Sequence, residues 1–151
     1  MSADIIDIAV SIELECAALY ELFARCFAGR EEVVYFWRIY AEAERYHAAT
    51  IRIHQAAFAS EDLSGLEVGE AEATKVLETI REMRERFERT PPSIGEALKA
   101  AREVEESSAE LHGRTQFFKV HPGLAELFQQ MAEEDKGHRD VLVNAEARFG
   151  S

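Results

Sequence analysis

The sequence predicts an all-α chain: two long helices, a connection carrying a short helix of its own, then two more long helices. This is a four-helix bundle with one long crossover. Three observations predict it. Apolar residues recur at spacings of three and four through most of the 151 residues, and no strand-like alternation competes. The composition favours helix, rich in Ala, Glu, Leu and Arg, with three Pro and eight Gly. Most of those breakers fall between the periodic segments, where connections belong.

The first helix is predicted over 4–28, with Gly29 as its C-terminal cap. The second is predicted over 31–59. A polar loop containing Ser60, Ser64, Gly65 and Gly69 follows. The short connecting helix, 70–89, has Ala73, Val76, Ile80, Met83 and Phe87 at helical spacing, and Pro91-Pro92 ends it because proline cannot continue a helix. Ser93 and Glu96 then match a capping box, the serine accepting from the backbone and the glutamate reaching back. The helix that starts there extends to about 119. His121-Pro122-Gly123 makes a tight link to the last helix, 124–149.

Each long helix carries a seam that should face the bundle core. The first reads Ile6, Ala9, Glu13, Cys16, Tyr20, Phe23, Phe27, and the second Trp37, Tyr40, Glu44, His47, Ile51, His54, Phe58. The third long helix gives Leu98, Ala101, Glu105, Ser108, His112, Thr115. The last gives Leu124, Phe128, Met131, Asp135, His138, Leu142, Ala145, Phe149. An acid interrupts the middle of every seam. In the second and last, a histidine follows three residues later, on the same helix face.

Burying a carboxylate without a partner costs several kcal/mol, and four at one level would also repel one another. Two divalent ions would neutralise four carboxylates, with the imidazoles binding in neutral form. One such pair alone reads as a solvated acid beside a satisfied core histidine. Two pairs, each with an upstream glutamate, read as a dinuclear metal site. The halves also echo each other: Glu13 and Glu105 are 92 residues apart, while Glu44 and Asp135, and His47 and His138, are each 91 apart. Two registers stay open. A seam through Ile8, Ile12, Glu15, Leu19 and Leu22 would substitute Glu15 for Glu13, and one through Leu127, Met131, Glu134 and Val141 would substitute Glu134 for Asp135.

Glu13 with Tyr20, the Glu44/His47 pair, Glu105, and the Asp135/His138 pair together resemble the rubrerythrin-like branch of the ferritin-like di-iron carboxylate superfamily. The runs 96–105 and 127–135 add to the likeness, which spans nearly the whole chain. The resemblance implies a single ferritin-like domain over 1–151, without a rubredoxin domain. It implies two iron ions, with zinc or manganese as substitutes, and redox activity toward peroxide or dioxygen, or iron oxidation and storage. Glu13 and Glu105 would be terminal or bridging ligands, Glu44 and Asp135 bridges, and His47 and His138 would each bind one metal. Tyr20 and His112 would stand behind them as hydrogen-bonding partners of the ligands. A homodimer and an external electron donor are the implied partners. The chain departs from the family pattern in three places. Asp135 replaces the usual Glu, His112 stands where the repeat would put a tyrosine, and Ser108 lies where rubrerythrin carries an additional glutamate.

The bulk properties exclude some classes and leave others. A net charge of −12 repels nucleic-acid phosphates and anionic membranes. No apolar run approaches the ~20 residues of a membrane span. Acids occupy the first residues, where a signal peptide would be basic, so a cytoplasmic location is expected. Cys16 and Cys26 lie about 15 Å apart along one helix, too far for a disulfide. A non-catalytic helical interaction module, its acids paired to Arg25, Arg38, Arg45 or Arg114, is the remaining alternative.

Overall fold

The computed structural model describes residues 2–57, 67–113 and 122–149. Five helices account for 93% of them, without a strand among the described residues. They are α1 (Ser2–Cys26), α2 (Glu31–Ala57), α3 (Glu67–Arg89), α4 (Ile94–His112) and α5 (Pro122–Phe149). The all-helical expectation holds, with shifted boundaries. α1 ends two residues early in a turn over 27–29, where Arg30 N–H donates to the Phe27 carbonyl. Gly29 does not take the left-handed conformation of a helix-terminating glycine. α3 starts three residues earlier than its apolar periodicity, and α5 two residues earlier, with Pro122 in the first turn where a missing N–H costs nothing.

The Ser93 capping box forms as predicted: the Ser93 hydroxyl accepts from Glu96 N–H and the Glu96 carboxylate accepts from Ser93 N–H. α4 ends sooner than the periodicity suggests. Gly113 caps it, its N–H donating to the Ala109 carbonyl at 3.0 Å. The remainder of that predicted helix, including Thr115, lies outside the described residues, as do Phe58, Ser60, Ser64, Gly65, Arg114 and His121.

Side-chain contacts fix the helix directions. Arg45 meets Glu21 and Arg52 meets Asp7, so α2 runs antiparallel to α1. Arg102 meets Glu146 and His112 meets Asp135, so α5 runs antiparallel to α4. Tyr20 reaches Glu105 and His112 reaches Glu13, which ties the two hairpins together at mid-height. α3 packs along α1 and also touches α4. Two apolar clusters flank that level. One is built around Tyr20, Phe23, Trp37, Tyr40, Phe87 and Phe149. The smaller holds Ile5, Ile6, Val10, Ile51, Leu127, Phe128 and Met131. Fully burying one such side chain contributes roughly 1.5–3 kcal/mol, and these layers make a rigid frame above and below the polar residues. None of the described helices is long and apolar enough to cross a membrane.

Candidate metal centre

Between those two layers, four helices each place an acid in the core. Glu13 on α1, Glu44 on α2, Glu105 on α4 and Asp135 on α5 are each no more than 2% exposed. His47 and His112 are buried beside them, and His138 is partly buried. Carboxylates this deep need compensation. Among the described residues none of the four is paired with a lysine or arginine. The arginines instead serve peripheral acids: Arg45 with Glu21 and Glu42, Arg84 with Glu15 and Glu88, Arg102 with Glu146. Glu15, the alternative first-helix ligand, is therefore held by α3 away from the centre.

Two groups of three donors form, each with its ligand atoms within 4.8 Å of one another. The first is Glu13, Glu44 and His47, the second Glu44, Glu105 and His138. His47 Nδ1 lies 3.5 Å from Glu13 Oε2 and 3.4 Å from Glu44 Oε2. His138 Nδ1 lies 3.7 Å from Glu105 Oε2 and 3.9 Å from Glu44 Oε1. Glu44 belongs to both groups, and the two imidazole rings stack at 6.0 Å. Buried Glu13 Oε1, Glu44 Oε1, His47 Nδ1, His112 Nε2 and His138 Nδ1 all lack a hydrogen-bond partner. Such orphans are rare in a folded interior. Their convergence on one level is the arrangement a cation would satisfy.

The surrounding residues hold the donors in place. Tyr20 OH donates to Glu105 Oε1 at 2.9 Å, a contact of the kind the resemblance implies for it. Tyr40 OH donates to the His138 carbonyl at 3.1 Å. Glu134, the alternative fourth-helix ligand, is 39% exposed and bonds His47 Nε2 at 2.6 Å, on the ring nitrogen facing away from the donors. Asp135 belongs to neither group. Its Oδ2 lies 2.7 Å from His112 Nδ1, and His112 Nε2 lies 3.2 Å from Glu13 Oε1. Five of the six sequence-predicted ligands thus fall into the two groups, and the sixth turns to His112. Sequence spacing weighed Glu134 only as a competing ligand. Its hydrogen bond crosses between helices, which intrahelical spacing cannot reveal.

The acids and imidazoles shift one another's proton affinities. Burial pushes the Glu44 carboxyl well above its usual range, and Glu105 and Glu13 push it further. Burial would raise Glu13 as well, but His112 and His47 outweigh it and hold Glu13 well below the usual carboxylate range. The histidines move oppositely to what burial alone would do. Glu13 and Glu134 bring His47 up to about 9, and Asp135 and Glu13 bring His112 up to about 10. Glu105 raises His138. Burial raises Asp135 to about 6 against the opposing pull of His112. Cys16, buried beside the acids, is kept as a thiol by burial and by Glu44. Burial and the neighbouring acids thus push Glu44 up, and the same acids push the three imidazoles up, as closely packed anionic donors should.

The fold and this level together define an all-helical protein with buried Glu/His groups that could hold metal ions. Comparison with known proteins identifies it no further: no family model, curated protein or solved structure gives a significant match.

Proposed function

We propose that the chain is a di-iron carboxylate protein of the ferritin-like, rubrerythrin type, its four long helices forming the bundle and α3 lying in the crossover. The proposed activity is reduction of peroxide or dioxygen with electrons from a separate donor. The observation that carries this reading is the convergence of five partnerless buried donor atoms between the two apolar layers. Glu13, Glu44 and His47 would hold one ion, and Glu44, Glu105 and His138 the other. Mixed carboxylate and imidazole donors suit iron, with manganese and zinc as substitutes. Bound iron would supply the reducing equivalents that convert peroxide, with two electrons and two protons, to two waters.

The chain's own residues support that chemistry. Glu44 ties the two positions together, so occupation of one orders a donor of the other. Tyr20 steadies Glu105, and Glu134 fixes the His47 ring with Nδ1 toward the donors. The apolar layers keep bulk water from the carboxylates. A surface cleft of about 400 Å³ between α2 and α5, lined by His47, Thr50, His54, Glu126, Gln130 and Glu134 among others, opens on the outer side of the His47 ring, where Glu134 binds it.

Metal analysis of protein purified from iron-replete cells tests the reading. About two metals per chain are expected, lost together in the Glu44→Ala/His47→Ala double variant. A metal-free protein of undiminished stability would overturn it. Stopped-flow oxidation of the reduced, loaded protein by peroxide and by dioxygen then identifies the oxidant, and failure to react with either would refute the redox assignment.

A further inference from the structure

His112 stands in the same relation to Asp135 as His47 does to Glu134. His47 bonds an α5 carboxylate through Nε2 at 2.6 Å and leaves Nδ1 without a partner among the acids. His112 bonds an α5 carboxylate through Nδ1 at 2.7 Å and leaves Nε2 without a partner. Metal-binding histidines characteristically donate their far N–H to a carboxylate, which fixes the tautomer and bares the other nitrogen. At 1% exposure, His112 keeps that nitrogen out of reach of bulk solvent. Glu13 Oε1, which likewise makes no hydrogen bond, lies 3.2 Å from it. The separation is within hydrogen-bond reach but the two atoms are not aligned as donor and acceptor. Two ligand atoms meeting a common cation would face each other in this way.

We propose that His112 Nε2 is a metal donor at the Glu13 position and that Asp135 is its orienting carboxylate. The assignment rests on the di-metal reading above and changes its ligand set. Three carboxylates and three imidazoles hold the pair of ions, and Asp135 does not bridge. The shorter arm of Asp135 then has a cause. An aspartate is long enough to reach the His112 ring, its Oδ2 lying 2.7 Å from Nδ1. The repeat is broken in a correlated way. Tyr20 and His112 occupy equivalent places, each reaching across to the other half's upstream glutamate, but only the imidazole carries a second nitrogen to anchor on α5.

X-ray absorption of the zinc- or cobalt-loaded protein counts coordinated imidazoles directly. Three per pair of ions are expected in the wild type and in Asp135→Asn, whose amide oxygen still accepts from His112 Nδ1. Two are expected in His112→Gln. Titration should show that Asp135→Asn keeps about two ions per chain with affinity lowered roughly tenfold, the size of an outer-partner effect. Two imidazoles in the wild type, or an ion lost in Asp135→Asn while the wild type holds two, would overturn the proposal and make Asp135 the ligand. A wild type that binds no metal would instead overturn the di-metal reading itself. If His112→Gln fails to fold, the wild-type and Asp135→Asn counts still decide.

Discussion

The acid–histidine pairs on α2 and α5 share one spacing, but their partners differ and His138 is less buried than His47. On α2, Glu44 and His47 both turn inward, and Glu44 serves both donor groups. On α5 only His138 faces the donors, while Asp135 is bound to His112 on α4. The α2 histidine is braced from outside by Glu134, whereas at the α5 histidine it is the backbone carbonyl that receives a hydrogen bond, from Tyr40. Intrahelical spacing brings two side chains to one face. Which of them serves the centre depends on what the neighbouring helices offer.

The largest test of this contrast is Glu44→Gln. Saturating metal should raise the melting temperature of the wild type by about 15–30 °C, taking ~4 kcal/mol per ion at a thousandfold excess over Kd and 2–4 °C per kcal/mol. Most of that rise should vanish in Glu44→Gln, while the metal-free variant melts no lower than metal-free wild type, because burial and the neighbouring acids already disfavour the charged form of Glu44. A full metal-dependent rise in the variant would remove Glu44 from its shared position.

The metal-free protein should lose stability, by a few kcal/mol, as pH rises from 6.5 through about 9 to 10. The sign follows from the histidines: the folded state holds the His47 and His112 protons more tightly than the unfolded chain. Their contribution is complete below pH 6.5 and disappears as they deprotonate. Metal loading should abolish the decline, since bound ligands carry no exchangeable proton at the metal. Thermal melts across this range, with and without zinc, check both slopes; a metal-free protein that stabilises on alkalinisation contradicts them.

Tyr20→Phe should cost about 1.5–3 kcal/mol, because it removes the donor to a buried carboxylate oxygen. Denaturant unfolding of the metal-free variant measures it, and a loss below ~0.5 kcal/mol would mean that Glu105 does not depend on this bond. The smallest effect is expected of Glu134→Gln, about a tenfold loss of metal affinity with the metal count unchanged. Isothermal titration would show this; loss of an ion would turn Glu134 from a brace into a ligand.

Much of the architecture was legible in the chain. Helix types, the capping box at Ser93 and the seam residues Tyr20, Trp37, Leu98, Phe128 and Leu142 follow from periodicity and local chemistry, and all of these side chains are buried. Helix ends were less legible, because Gly113 stops α4 while apolar spacing continues past it. The choice between Glu13 and Glu15 needed α3, whose Arg81 and Arg84 claim Glu15. Glu134 and Asp135 are neighbours on one helix, and both register patterns reach His138. Only α2 and α4, which engage them from different sides, separate their roles.

By itself, then, the sequence determined that acids and histidines would share buried helix faces, since spacing and amphipathicity are properties of a single helix. The tertiary structure alone decided the pairings: Glu134 with His47, Asp135 with His112, and Glu44 with both groups. These bonds join residues far apart in sequence. They form because antiparallel hairpins bring opposing faces to the same height, where each buried charge takes whatever partner lies within reach.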